Sequence, residues 1–310
     1  MLKACLRSFS SSVPKLSAHG ACARKTVRTI QNLYEQKIPI SVVTAWDAIT
    51  ANIADEAQID TVLVGDSLAM VALGYEDTNA LELEDMVHHV RAVNRGNRSS
   101  LLVADIPFGS FEESEAQAVR SAITLVKKGK AQAVKIEGGV EMAPTIKKIV
   151  QAGVPVMGHI GLAPQKHNTL GGFRLQGNTL QSAVKIVEDC KAIEEAGVFA
   201  MVIECVPNKL AKLVTDSVSV PTIGIGAGNA VSGQVLVTAD ILGMEDKKPA
   251  KFVKQYMHFH GQAKLALENY NDEVKSGAYP DPNHHGYKMN SEVLNKVKEY
   301  LSQQDITNSE

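Results

Sequence analysis

From Ile38 onward the chain alternates short apolar runs with longer amphipathic ones. The short runs, expected to be strands, are Ile40–Val43, Thr61–Val64, Leu101–Ala104, Ala133–Ile136, Pro155–Gly158, Ala200–Ile203, Pro221–Gly224 and Val235–Val237. Most are apolar on both faces, the mark of parallel strands covered on each side. Helical spacing runs over Ile49–Gln58, Glu82–Arg95, Glu112–Lys128, Glu141–Gln151, Leu180–Glu195 and Lys209–Val214. Gly129, Gly153 and Gly197 follow three of these runs, where a helix end favours a residue at positive φ. Eight apolar runs separated by helices predict an α/β fold, a (β/α)8 TIM barrel. The seventh and eighth runs have only the segment Ile225 to Gln234 between them, too short for a full crossover helix. That link leaves a doubly wound open sheet as the alternative. A long helical pattern from Pro249 to Lys275, a turn-rich stretch Ser276–Gly286 and an amphipathic segment Glu292–Leu301 predict extra C-terminal helices.

Polar residues cluster at the ends of the apolar runs. The first run leads into Thr44-Ala45-Trp46-Asp47, the second into Gly65-Asp66-Ser67 and the third into Asp105. The fourth contains Lys135 and ends at Glu137, the fifth leads to His159 and the sixth to Glu204. In barrel enzymes the chemistry sits at the C-terminal ends of the strands. A charge next to a buried run is costly unless it is paired or binds something. Asp47 reads best as a helix cap. Lys135 and Glu137, two apart on one strand, point to the same side. With Asp66 and Asp105 they would gather three carboxylates and one ammonium. A hard oxygen set without a Cys or His cluster favours Mg²⁺ with positions open for water or substrate. The competing reading is a salt-bridge network around Lys135.

Other polar features carry less. Gly224-Ile225-Gly226-Ala227-Gly228 follows a strand, but Asn229 breaks a dinucleotide fingerprint, leaving a tight loop near a ligand. His88-His89 reads as a solvated helix face, and His258 and His260 diverge on a helix. His284-His285 lies in the turn-rich tail.

The 310 residues include 45% hydrophobic and 21% charged side chains, enough for a large core. No apolar stretch is long enough to span a membrane. A formal charge of −2 and 5% aromatic residues argue against nucleic acid as a partner. Cys5, Cys22, Cys190 and Cys205 have no CxxC spacing and suggest no disulfide framework. No acidic residue precedes Glu35, whereas Lys3, Arg7, Lys15, Arg24, Lys25 and Arg28 do. With Ser8–Ser12 and a Leu2, Leu6 and Phe9 face, residues 1–25 read as a mitochondrial presequence, and the matrix is the expected location. The barrel is expected over 26–290 and a helical tail over 291–310.

Six motifs occur in order: Val64-Gly65-Asp66-Ser67-Leu68, Ala104-Asp105-Ile106-Pro107-Phe108, Val134-Lys135-Ile136-Glu137-Gly138-Gly139, Gly158-His159-Ile160-Gly161-Leu162, Glu204-Cys205-Val206-Pro207 and Ile223-Gly224-Ile225-Gly226-Ala227-Gly228-Asn229. Together they resemble the ketopantoate hydroxymethyltransferase family over roughly residues 26 to 290. The resemblance implies a barrel of the phosphoenolpyruvate mutase/ketopantoate hydroxymethyltransferase type, Mg²⁺ dependence and a homo-oligomer, decameric in bacterial relatives. It implies transfer of a one-carbon unit from the co-substrate 5,10-methylenetetrahydrofolate to 3-methyl-2-oxobutanoate, giving 2-dehydropantoate. On these positions Asp66 and Asp105 would ligate the metal, and Glu137 would reach it directly or through water. Ser67 and Lys135 would hold the oxoacid carboxylate, His159 would orient the substrate, and Glu204 would be the general base. Apolar neighbours such as Val202 and Val206 would strip Glu204 of water. Trp46-Asp47, Ser232, Ala239 and Ala163 depart from the family pattern near strands one, five and eight. A carbon–carbon lyase of the same barrel group is a second reading, weakened by the lack of a Lys-Lys-Cys-Gly-His loop. An altered barrel that binds an oxoacid without turnover is a third.

Overall fold

A computed structural model describes residues 24–172 and 174–307. The proposed presequence lies outside the described residues except for Arg24 and Lys25. The described residues pack as two units, one from 24 to 241 with 249–254 and one of 242–248 with 255–307.

The first unit is a closed barrel of eight parallel strands in sequential order. The strands are β1 (Ile40–Thr44), β2 (Thr61–Val64), β3 (Leu101–Asp105), β4 (Ala133–Glu137), β5 (Val156–Gly161), β6 (Ala200–Glu204), β7 (Thr222–Ile225) and β8 (Gly233–Leu236). The helices of this unit are α1 (Val27–Glu35), α2 (Ala48–Glu56), α3 (Leu68–Val71), α4 (Leu83–Gly96), α5 (Glu115–Thr124), α6 (Ala143–Gln151), α7 (His167–Leu170), α8 (Leu180–Glu195) and α9 (Asn208–Ser217), followed by α10 (Thr238–Leu242). The short β7–β8 link holds no helix, yet β8 pairs with β1 through Ile40–Gly233 and Val42–Val235 and closes the ring. The open-sheet alternative is thereby excluded.

Strand alternation builds two apolar layers. Val62, Val64, Leu102, Ala104, Val134, Ile136, Met201 and Ile203 face outward against the helices. Val42, Leu63, Leu101, Val103, Ala133, Met157, Ala200 and Val202 fill the interior. The helices supply matching stripes, such as Met86, Val90 and Val93 on α4 at one-turn and two-turn spacing. Helix α1, which the apolar pattern does not predict, is started by a Thr26–Thr29 capping box and adds Ile30 to the interior layer. Arg24 and Lys25 also belong to the folded unit. The Arg24 guanidinium donates to Asn94 Oδ1 at 2.8 Å, and Lys25 Nζ meets Asp60 Oδ1 at 2.8 Å.

Several sequence expectations shift. The C-terminal helix starts only at Phe259, giving α11 (Phe259–Ser276), which belongs to the second unit with α12 (Ser291–Thr307). Phe252 instead packs over Gly226, where a side-chain Cβ would lie 2.9 Å from the Phe252 ring. Positive φ at the end of the α5 region falls on Lys130 rather than Gly129, which is inside a final wide turn against Val90. His89 is not simply solvated, since its Nδ1 lies 2.6 Å from the Trp46 carbonyl oxygen. Asp47 caps α2, accepting from Thr50 N at 2.7 Å.

Candidate active site

The interior parity of the strands carries the polar residues into one place. On β3, Leu101 and Val103 point inward, so Asp105 does too; on β4, Ala133 brings Lys135 and Glu137 with it. Met157 on β5 and Val202 on β6 do the same for His159 and Glu204. Asp105, Glu137 and Glu204 are the last residues of their strands rather than the first residues of loops. Register sets them side by side, with Asp105 opposite Lys135 and Glu137 opposite His159. Asp66 comes from the turn after β2. At Gly65 a Cβ would stand 3.2 Å from Ser67 Oγ and 3.6 Å from Asp105 Oδ2, so the missing side chain leaves room for both. At Gly161, φ is +90° and a Cβ would collide with the Glu204 carbonyl oxygen, so only glycine lets β5 run this close to the Glu204 end of β6.

These residues surround a cavity of about 390 Å³ at the C-terminal mouth of the barrel. Asp66, Ser67, Asp105, Lys135, Glu137, His159 and Glu204, all seven sequence-predicted site residues, line it. Leu63, Met70, Val202, Ile225 and Val235 give it an apolar wall. Val206 packs in the outer layer, so only Val202 of the two expected apolar neighbours shares the wall with Glu204. None of the four departures from the family pattern, Trp46, Ala163, Ser232 and Ala239, is among the lining residues. Ser232 has a structural task, exchanging hydrogen bonds with Thr222.

The charges are densely coupled. Lys135 Nζ lies 3.1 Å from Asp105 Oδ1 and 3.1 Å from His159 Nδ1. His159 sits between two carboxylates, with Nδ1 3.4 Å from Glu137 Oε1 and Nε2 3.1 Å from Glu204 Oε2. Burial and the Lys135 cation oppose a charged imidazole, but Glu137 and Glu204 outweigh them and raise its pKa to about 9. Burial, then the Asp105 and Glu137 carboxylates, push Asp66 up to about 8. Burial also raises Asp105, against the pull of Lys135. For Glu137 burial acts upward, but the neighbouring His159 imidazole and Lys135 ammonium hold it below the usual carboxylate range. Lys135 is raised above an ordinary lysine because Asp105, Glu137 and Asp66 overcome its burial.

The donor set fits a hard divalent cation with few protein ligands. Three buried carboxylates share one ammonium, and Asp105 Oδ1 and Glu137 Oε1 lack a hydrogen-bond partner among the described residues. No three His, Cys, Asp or Glu side chains among the described residues form a ready-made cluster. Glu137 turns toward His159 and accepts from Gln165 N at 3.1 Å, leaving Asp66 and Asp105 as the direct candidates. Two carboxylates and open positions suit Mg²⁺, which keeps much of its water.

Two participants carry no signal in the sequence pattern. Gln165 is buried and donates from Nε2 to Asp66 Oδ2 at 2.8 Å across 99 positions of sequence. Thr78 lines the cavity with its hydroxyl buried and unpartnered among the described residues. Thr78 lies in a loop and Gln165 in the single turn Pro164–Lys166, segments too short for periodicity, and Gln165 offers only its position after a strand.

A parallel eight-stranded barrel whose mouth gathers buried carboxylates, a lysine and a histidine around a cavity has the architecture of a barrel enzyme. The ketopantoate hydroxymethyltransferase family model matches residues 24–282, and the chain belongs to that family. A relative in Emericella nidulans, 3-methyl-2-oxobutanoate hydroxymethyltransferase, is 51% identical over 90% of this chain and 81% of its own length. The Enterococcus faecalis protein of the same name is 49% identical over 83% of this chain and 94% of its own. Among solved structures, a phosphonopyruvate hydrolase complex with oxalate and Mg²⁺ matches with a TM-score of 0.55 at 13% identity, over 90% of this chain and 97% of that one. A 2,3-dimethylmalate lyase of the phosphoenolpyruvate mutase/isocitrate lyase superfamily matches at 0.52 and 15%, over 91% and 98%. These distant structures share the fold.

Proposed function

We propose that the protein transfers a hydroxymethyl group from 5,10-methylenetetrahydrofolate to 3-methyl-2-oxobutanoate, consuming water and giving 2-dehydropantoate and tetrahydrofolate. The observation that carries this reading is the inward array of Asp105, Lys135, Glu137, His159 and Glu204 at the barrel mouth, beside an apolar wall. Forming the new C–C bond requires removal of the proton on the carbon next to the ketone, and Glu204 is the carboxylate placed to take it. His159 Nε2, 3.1 Å from Glu204 Oε2, pairs with that carboxylate at the cavity wall. The Lys135 ammonium and the Ser67 hydroxyl bind the oxoacid carboxylate, while Leu63, Val202 and Val235 receive its branched alkyl end and exclude water. Asp66 and Asp105 would hold Mg²⁺, with Glu137 acting on it through water, and the bound cation supplies positive charge against the enolate oxygen. A neighbouring groove of about 870 Å³ shares Cys205 and Phe252 with the cavity and carries Arg174, Asn208 and Lys251, room for the larger co-substrate.

The test is an assay of the full chain with both substrates, following 2-dehydropantoate by mass spectrometry with Mg²⁺ or EDTA. Product that depends on metal supports the proposal; a folded protein that binds the oxoacid and forms no product overturns it. We also propose a homo-oligomer in solution, checked by light scattering, and a mitochondrial matrix location directed by residues 1–25. A reporter fused to residues 1–34 that stayed in the cytosol would refute the latter.

A further inference from the structure

Gln165 occupies the one-turn helix Pro164–Lys166 that follows β5, where Lys166 N closes the turn on Ala163 O at 2.9 Å. Its backbone N donates to Glu137 Oε2, and its side-chain Nε2 donates to Asp66 Oδ2 at 2.8 Å and Ile106 O at 3.0 Å. Both partners of the amide nitrogen are acceptors, which fixes the amide orientation, since a flipped amide would set Oε1 against a carboxylate and a carbonyl. Oε1 is left buried with no partner among the described residues. A buried acceptor left without a donor destabilises the fold. An apolar side chain of the same size would avoid that penalty, so packing alone does not account for a glutamine.

The two aspartates are tethered in the same way. Asp105 Oδ2 accepts from Asp66 N at 3.0 Å, and Asp66 Oδ2 accepts from Gln165 Nε2. Each carboxylate thus has its Oδ2 held by an N–H group, and Asp105 Oδ1 is buried without a hydrogen-bond partner among the described residues. Resting on the cation reading above, we propose that Gln165 is a positioning residue for the metal site: it locks the Asp66 carboxylate so that Oδ1 is presented to the divalent cation beside Asp105. Through its backbone N the same residue holds Glu137, so one turn after β5 orients carboxylates contributed from the β2 and β4 ends.

The test is Mn²⁺ titration of the full chain, stripped of metal, with free Mn²⁺ read by electron paramagnetic resonance. Gln165→Met keeps an unbranched side chain of similar size and removes both donors. Partners that orient metal ligands are worth roughly 10–100-fold in affinity, so Gln165→Met should raise the Mn²⁺ Kd at least tenfold. Melting of the metal-free protein, run in parallel, reports the structural share through the lost bond to Ile106 O. A Kd within twofold of wild type overturns the proposal, whether or not both melting curves fall together. If Gln165→Met does not fold, Gln165→Asn, one methylene short of Asp66, takes its place with the same two criteria. Wild-type protein that binds no Mn²⁺ overturns the cation reading and this proposal together. Wild-type binding with unchanged variant affinity removes only the role of Gln165.

Discussion

Two lysine–aspartate pairs lie at opposite ends of the same barrel, and they are built to different purposes. At the floor, Lys25 Nζ contacts Asp60 Oδ1 at 2.8 Å with side chains 24% and 18% exposed. Everything there is satisfied: Asp60 Oδ2 accepts from Ser41 N and Oγ, and Lys25 Nζ also donates to the Gln58 and Ile59 carbonyls. At the mouth, Lys135 Nζ contacts Asp105 Oδ1 at 3.1 Å with side chains only 5% and 3% exposed. That contact is an ion pair out of hydrogen-bond alignment, so Asp105 Oδ1 still lacks a donor. Asp66 and Glu137 add two more buried carboxylates. The mouth bears a larger desolvation cost than the floor and leaves acceptors open. A closed pair holds a structure together, whereas an open one is held by the structure for something that binds. The salt-bridge network expected around Lys135 therefore exists and does not exhaust the site.

The sharpest way to break this contrast is to remove one carboxylate at each end. Asp105→Asn takes away a proposed cation ligand and the partner of Lys135, so turnover should fall about 100- to 1,000-fold, by the scale of removing a group that stabilises developing charge. Asp60→Asn should leave turnover within about threefold and lower the melting temperature by a few degrees, as expected for about 1–2 kcal/mol of hydrogen bonding lost. Equal losses of activity in the two variants would abolish the distinction. The base is tested separately. Glu204→Gln should slow exchange of the substrate's proton with deuterium by more than about 100-fold, within the range ascribed to general bases. Near wild-type exchange would remove Glu204 from that role.

In the metal-free protein the open mouth should also make stability depend on pH. His159, raised to about 9, contributes stability below its unfolded value near 6.5 and loses it as pH rises through about 9. Asp66, raised to about 8, is bound to a proton in the fold, so its ionisation costs stability increasingly as pH climbs from about 4 to about 8. Both signs agree, and the melting temperature in EDTA should fall between pH 6.5 and 9. Asp66→Asn should flatten the part of the slope below pH 8. Saturating Mg²⁺ should oppose the fall, because cation binding favours the deprotonated carboxylate. A melting temperature that rose with pH in EDTA would contradict the open-mouth account.

What the sequence exposed, and what it hid, follows the same division. The inward parity of Lys135 and Glu137 was legible because strands repeat every two residues, and Asp105, His159 and Glu204 extend the same alternation. Asp47 as a cap was legible because capping is local, three residues from Thr50. Gln165 was not, since its bond to Asp66 joins loops 99 positions apart that meet only when the barrel closes. Thr78 was hidden because its loop has no periodicity to mark it as lining the cavity. The stretch after Pro249 misled the helical reading because its apolar residues are recruited elsewhere: Ala250 and Phe252 line the cavity instead of a helix face. His89 was read as solvated because its partner is a backbone carbonyl in the loop after β1, invisible to any side-chain pattern.

The smallest expected effect belongs to the strand-end acid that took no place in the cavity. Asp47 follows β1 as Asp66 follows β2, yet Asp47 turns its carboxylate to Thr50 N and Thr50 Oγ1, at 2.7 and 2.8 Å. It is a closed acid at the open end of the barrel. Asp47→Ala should therefore cost about 1 kcal/mol, the usual worth of a helix cap, and leave substrate affinity and turnover within about twofold. Thermal unfolding and steady-state kinetics on one preparation check both parts. If turnover collapsed instead, position at the barrel mouth would matter more than whether a carboxylate is already satisfied. The contrast between Asp60 and Asp105 would then reflect distance from the cavity alone.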